Sequence, residues 1–217
     1  MKRFICHPRA ALLACLLVLP ASRSRGAEAP PPLRPPPGAV VLFGGTNLSF
    51  WKHYSPATDQ QATFVNGGPG YRQPEWKIAG NAMEAAAGSR DIITRHEFGN
   101  YELHLDFLIP AGQGGGGTVS AGAGGVFLSG RYEISLAASS GSKPGKSSCG
   151  AINGLKAPDS DSARKPGVWQ ALDVSYTHLT GQPPTISVWL NGVLVQKEVK
   201  APKPTPGGFN PNSEVGR

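Results

Sequence analysis

Along residues 101–109 apolar and polar side chains alternate without a break. Tyr101, Leu103, Leu105, Phe107 and Ile109 fall on one side, and Glu102, His104 and Asp106 fall on the other. A period of two marks a strand with one buried face, because successive Cβ atoms point to opposite sides of a sheet. The same alternation over 131–136 turns Tyr132, Ile134 and Leu136 inward and Arg131, Glu133 and Ser135 outward, and 168–176 predicts a third strand. Residues 185–190 and 193–199 flank Asn191-Gly192. That pair accepts positive φ at both centres of a type I′ turn, so the two runs predict a hairpin. No stretch shows sustained apolar recurrence at helical spacing. Short strands separated by Gly/Pro loops, with no strand–helix alternation, predict an all-β fold, an antiparallel jelly roll or sandwich.

Composition changes this picture by locating the breakers. The 217 residues carry 29 Gly and 21 Pro, and the length suits a single domain. Residues 1–29 read as a signal peptide: Lys2, Arg3 and Arg9 form a basic head, followed by an apolar run of ten from Ala10 to Leu19. A bilayer-spanning helix needs ~20 apolar residues, so this run is too short to be one. Cleavage after Ala29 fits the small-x-small pattern of Ala27-Glu28-Ala29, with Ala21 as the alternative. Residues 30–38 form a proline-rich linker in extended polyproline geometry. The jelly-roll domain is expected over 39–199, and 200–217, rich in Pro, Gly, Asn and Ser, is expected to be a disordered tail. This organisation predicts a secreted or periplasmic protein whose mature chain has no transmembrane segment.

The leader also accounts for most of the charge. The whole chain has a formal net charge of +7, from 21 Lys and Arg against 14 Asp and Glu. Losing Lys2, Arg3, Arg9, Arg23, Arg25 and Glu28 leaves 16 basic and 13 acidic residues, a net charge of +3. No basic run with interleaved aromatics remains, which argues against a nucleic-acid partner. Cys6 and Cys15 depart with the leader, leaving Cys149 without a partner for a disulfide or a thiolate metal cluster. Its Ser-Ser-Cys-Gly surroundings favour a small buried or turn residue over a nucleophile.

Motifs narrow the chemistry mainly by exclusion. Gly112-Gln-Gly114-Gly-Gly-Gly117 has dinucleotide-loop spacing, but the Gly/Ala/Ser run after it cannot open a helix, so it reads as a loop joining two strands. The histidines at 7, 53, 96, 104 and 178 show neither H-x-H nor H-E-x-x-H spacing, and no G-x-S-x-G turn is present. Two polar strand faces remain as chemically interesting surface, Glu102/His104/Asp106 and Arg131/Glu133. The first of these, joined by an aromatic such as Trp189, is the type of row with which a sandwich sheet binds a ligand.

An ordered series of motifs then resembles a known family. It opens with Leu42-Phe-Gly-Gly-Thr-Asn-Leu-Ser-Phe-Trp51 and continues through Trp76-Lys-Ile, Asp91-Ile-Ile-Thr94 and Glu97-Phe-Gly-Asn-Tyr-Glu-Leu103. Gly125-Val-Phe-Leu128, Gly130-Arg-Tyr-Glu133, Cys149-Gly-Ala-Ile152, Lys165-Pro-Gly-Val-Trp-Gln170 and Asn191-Gly-Val-Leu-Val195 follow in order. The series is similar to the 3-keto-disaccharide hydrolase family, also described as 3-keto-glycoside hydrolase and 3-keto-glucal hydratase, whose fold is a concanavalin-like jelly roll.

The resemblance implies an enzyme acting on an oxidised carbohydrate. A C3 ketone acidifies the C2 proton, so the glycosidic bond breaks by proton abstraction, enolate formation and loss of the C1 substituent, after which water adds. Such chemistry needs a base, a cation or donor at the enolate oxygen, and an acid for the leaving group. Glu133 is the expected base and Arg131 the expected cation, with His104, Asp106, Asp91, Asn153 and Trp189 as expected substrate contacts. No cofactor is required by this scheme, although a divalent cation is one way to polarise the ketone. The chain also departs from the family pattern: Ser135 stands where a Gln is usual, Ala138 replaces an Asp, Asn153 replaces a Tyr, and Leu190 replaces a His. The family domain ordinarily continues past the 185–199 hairpin into closing strands, so a sandwich short of its final strands is expected here. These departures keep a second reading open, a non-catalytic carbohydrate-binding jelly roll that has kept the fold and lost the activity.

Overall fold

A computed structural model of the protein describes residues 35–54, 74–85, 88–111 and 124–208, together with the backbone of 4–6. The described residues contain no helix and twelve strands. These are β1 (Phe4–Cys6), β2 (Val40–Val41), β3 (Trp51–His53), β4 (Lys77–Ala79), β5 (Ala82–Glu84), β6 (Ile92–Thr94), β7 (Tyr101–Phe107), β8 (Gly124–Leu128), β9 (Tyr132–Leu136), β10 (Gln170–Thr177), β11 (Thr185–Leu190) and β12 (Val193–Lys200). All pairings are antiparallel, and the fold is all-β as the alternation predicts. The 112–117 glycine run lies outside the described residues.

One sheet has six strands in the order β12-β11-β10-β7-β1-β2. Its centre is the β7–β10–β11 ladder, in which Leu105 pairs with Leu172 and Leu172 with Leu190. Opposite it, β8 and β9 form a hairpin. Residues 150–153 extend that hairpin: Gly150 N–H donates to Ser135 O at 2.9 Å, Ser135 N–H to Ala151 O at 3.0 Å, and Asn153 N–H to Glu133 O at 2.9 Å. The β3–β6 and β4–β5 pairs complete the strands.

Between the layers lies one core. Leu103, Leu105 and Phe107 of β7, Leu172 and Val174 of β10, and Ile186 and Val188 of β11 meet Val126, Leu128, Tyr132 and Ile134 of the hairpin. Rings from both layers touch there, with Tyr101 stacked on Tyr176 at 5.0 Å between centroids and Tyr132 tilted against Tyr176 at 6.3 Å. Burying a Leu, Ile or Phe side chain contributes ~1.5–3 kcal/mol, so this shared face fixes which side of these five strands is inward. Trp51 is fully buried, and its Nε1 donates to Leu42 O at 2.9 Å, tying the opening motif to the core. The β11–β12 turn has φ of 53° at Asn191 and 82° at Gly192, the conformation expected of a type I′ pair.

Two stretches differ from the sequence expectation. After β12 the chain is packed, not free: Ala201 and Thr205 are buried, and Thr205 N–H donates to Arg131 O at 2.9 Å. A segment rich in proline and glycine reads as tail by composition, yet its few side chains fit against the β8–β9 hairpin. At the other end, Phe4–Cys6 falls within the leader-like stretch but its backbone pairs with both β2 and β7. That pairing belongs to the uncleaved chain, and removal of residues 1–29 would open the β7 edge towards β2.

Candidate functional site

Glu133 sits near the start of β9, between the inward Tyr132 and Ile134, so its side chain leaves the core on the opposite face of the hairpin. Across the sheet it is paired with Phe127 on one side, and its carbonyl is bonded by Asn153 on the other. Asn153 Nδ2 donates to Glu133 Oε2 at 2.6 Å, a charge-assisted hydrogen bond that fixes the carboxylate. Room for the carboxylate comes from Gly125 on β8. A methyl carbon built there would sit 2.7 Å from Glu133 Cδ and nearer still to its Oε1 and Cγ. The glycine is required by this close approach, since its φ is not in the left-handed region.

Burial pushes the Glu133 carboxyl above the usual carboxylate range; the Asn153 bond pulls it down, and the charge of Asp91 pushes it up. Asp91 precedes β6, and its carbonyl accepts from Tyr54 N–H at 2.9 Å, which ties it to the end of β3; its charge reaches Glu133 from there. The site therefore consists of a half-buried carboxylate of raised pKa, an amide donor, a second acidic group within electrostatic range, and the partly exposed ring of Phe127. A carboxyl raised by desolvation is a stronger base than an ordinary carboxylate, and once protonated it can give the proton back.

Of the residues picked from the sequence, Glu133, Asp91 and Asn153 come together. Arg131 does not join them. It belongs to the Ser129-Gly130-Arg131 turn, not to a strand face, because positive φ at Ser129 and Gly130 breaks the alternation before β9 begins. Its guanidinium lies over the Tyr132 ring at 5.9 Å, and its charge acts on Tyr132 and Tyr176, in both cases opposing the rise caused by burial.

His104, Asp106 and Trp189 are also separated from Glu133. They project from the outward face of the six-stranded sheet, and the core lies between the two faces. There His104 Nδ1 is 2.6 Å from Asp173 Oδ1, its Nε2 is 3.8 Å from Asp106 Oδ1, and Asp173 pairs with Trp189 across the ladder. Burial lowers the His104 pKa, but the hydrogen bond and charge of Asp173 together with the charge of Asp106 outweigh it, and the net shift is upward. Strand parity shows that a residue points outward without showing which sheet it leaves, and that is why one site was expected where the structure has two faces.

Three participants escaped sequence reasoning. Phe127 could have been found, since Gly125-Val-Phe-Leu128 puts its ring out of phase with the inward Val126 and Leu128. Gly125 gives no signal before its neighbour is known, and Thr205 was hidden in a stretch read as tail. Cys149, by contrast, is buried as expected, and desolvation raises its thiol to about 12. Among the described residues no group of three or more His, Cys, Asp or Glu is arranged to hold a metal ion. No helix there is long and apolar enough to cross a membrane.

Antiparallel layers around one core, with a half-buried carboxylate on the outward face of the smaller layer, define an all-β sandwich that carries one candidate acid–base group on its surface. Solved structures agree with that class. A provisionally assigned glycosyl hydrolase from Parabacteroides distasonis ATCC 8503 is similar at 25% identity, with a TM-score of 0.67 over 84% of this chain and 79% of that one. A second provisionally assigned glycosyl hydrolase from the same organism shares 17% identity and a TM-score of 0.51 over 79% of this chain and 75% of that one, a likeness of fold alone. Residues 38–214 match the 3-keto-alpha-glucoside-1,2-lyase-like domain, and the chain belongs to that family. No curated protein matches the chain.

Proposed function

We propose that the protein cleaves 3-keto-glycosides, with Glu133 as the base that removes the C2 proton. The observation that carries this reading is the Glu133 carboxylate itself, raised by burial, held by Asn153 and set over the bare backbone of Gly125. In the reaction the C2–H electron pair forms the enolate of the C3 ketone. Collapse of the enolate breaks the C1–O bond and leaves a C1=C2 double bond. The proton taken by Glu133 is available to the departing oxygen, and water added across the double bond completes net hydrolysis. One carboxyl can serve both proton transfers because the base that takes the C2 proton is thereby protonated and can return that proton to the departing oxygen as an acid. Purified protein incubated with 3-keto-trehalose or a 3-keto-glucoside should release keto-sugar, with Glu133→Gln losing at least 100-fold. Absence of turnover at high enzyme concentration, with and without added divalent cation, would reject the reading. We further propose that the protein is exported through residues 1–29; mass spectrometry of the exported chain should find its N-terminus at Pro30.

One observation favours the binding-only alternative. The guanidinium expected to face the enolate lies over the Tyr132 ring instead, 5.9 Å from its centroid. Under that alternative, glycan binding would persist in Glu133→Gln while neither form turned over substrate.

A further inference from the structure

The strap after β12 runs along the edge of β9 at Glu133, on the side away from β8. Thr205 Oγ1 accepts from Glu133 N–H at 2.8 Å and donates to Arg131 O at 3.1 Å, while Thr205 N–H donates to the same carbonyl at 2.9 Å. A residue's N–H and C=O point to the same side of its strand, so Thr205 stands on the side of β9 already used by Asn153. It occupies the next place in the ladder, where the 150–153 segment turns away as Gly154 N–H bonds Lys146 O at 2.9 Å. Beyond Thr205, Pro206 abuts Gly154, Gly207 faces the tip of the Phe127 ring, and Gly208 lies against the backbone of Arg131. These contacts place the strap against the neighbours of Glu133 on both sides, Phe127 on β8 and the residue following Asn153.

We infer that Thr205 is a positioning residue for Glu133 and that residues 205–208 form a wall of the substrate site. This deepens the reading of Glu133 as the reactive carboxylate and rests on it. The hydroxyl is needed because it donates and accepts at once; a methyl of the same size can do neither, and the buried Glu133 N–H and Arg131 C=O would each lose a partner. The wall also closes one side of the Phe127 platform, which confines a bound sugar between the ring and the carboxylate.

The test compares the full chain with Thr205→Val and Thr205→Ser. Amide exchange at Glu133 should rise at least tenfold in Thr205→Val and less than threefold in Thr205→Ser, with the Leu172 and Val188 amides unchanged. With 3-keto-glucoside as substrate, kcat should fall about tenfold or more in Thr205→Val at a KM within twofold of the parent, and Thr205→Ser should restore it to within threefold. Unchanged exchange at Glu133 in Thr205→Val overturns the inference, and so does an equal loss of kcat in both variants. Should the parent itself be inactive, the proposed reaction fails while the exchange measurement still decides the role of Thr205. If Thr205→Val does not fold, Thr205→Ser decides alone: parental exchange at Glu133 upholds the inference, and a rise of tenfold or more rejects it.

Discussion

Substituting Gly125 by alanine separates the function of the hairpin from its stability. The new methyl would lie 2.7 Å from Glu133 Cδ and closer still to its Cγ and Oε1, whereas carbon atoms rest at ~3.5–4.0 Å, so the side chain must move by at least about 1 Å. Nothing else opposes the change, since the backbone of Gly125 is not in a conformation reserved for glycine. Alanine in a strand gains ~0.5–1 kcal/mol over glycine. Displacing Glu133 from Asn153 costs one charge-assisted bond, ~1.5–3 kcal/mol and towards the lower end for a half-buried group. The net loss is roughly 1 kcal/mol, or ~2–4 °C in Tm for a chain of this length. Activity should suffer far more, because a misplacement of ~1 Å at the reacting group costs on the order of 100-fold. The assay is keto-sugar release by Gly125→Ala beside thermal melts, with Gly99→Ala as control, where nothing lies within 4 Å of the added carbon. A Gly125→Ala protein with kcat within threefold of the parent would refute the placement of Glu133 as the reactive group.

Other consequences can be checked separately. Asn153→Leu keeps the site filled but removes the donor that favours ionised Glu133, so the acidic limb of the pH–rate profile should move to higher pH; an unmoved limb would count against the 2.6 Å bond. The raised pKa of His104 stabilises the fold fully below its unfolded value of ~6.5, and that contribution is lost as pH rises through the folded value. The Tm advantage of the parent over Asp173→Asn should therefore be largest near pH 5.5 and shrink towards pH 9, and a constant difference across that range would contradict it. Cys149, buried and with its thiol raised to about 12, should resist alkylation at pH 8 until the protein unfolds, as read by peptide mapping.

How far the sequence revealed this molecule depended on the range over which each signal acts. Strands β7, β9, β10, β11 and β12 were legible because alternation and the Asn191-Gly192 turn are local properties of a few residues. Glu133 was legible as an outward carboxylate in a motif, and Asp91 and Asn153 through neighbouring motifs. Arg131 was misplaced because positive φ at Ser129 and Gly130 shifts it into a turn that parity counting cannot see. His104 and Trp189 do point outward, as alternation predicts, but grouping them with Glu133 as contacts of one substrate required knowing which strands pair into which layer. Thr205 was lost for a related reason: its role rests on contacts more than seventy residues away in the chain, and a proline- and glycine-rich composition gives no sign of them.

The points at which the chain enters and leaves the sandwich have opposite practical consequences for anything attached to them. After the leader-like stretch it runs into β2, an edge strand of the six-stranded sheet, whereas Glu133 opens from the outward face of the other layer. A resin, a reporter or a partner domain joined just ahead of residue 38 would attach at that sheet edge and not on the face that carries the carboxylate. The same cargo joined directly after Gly208 would sit against Arg131, two residues before Glu133 in the hairpin, and would crowd the carboxylate.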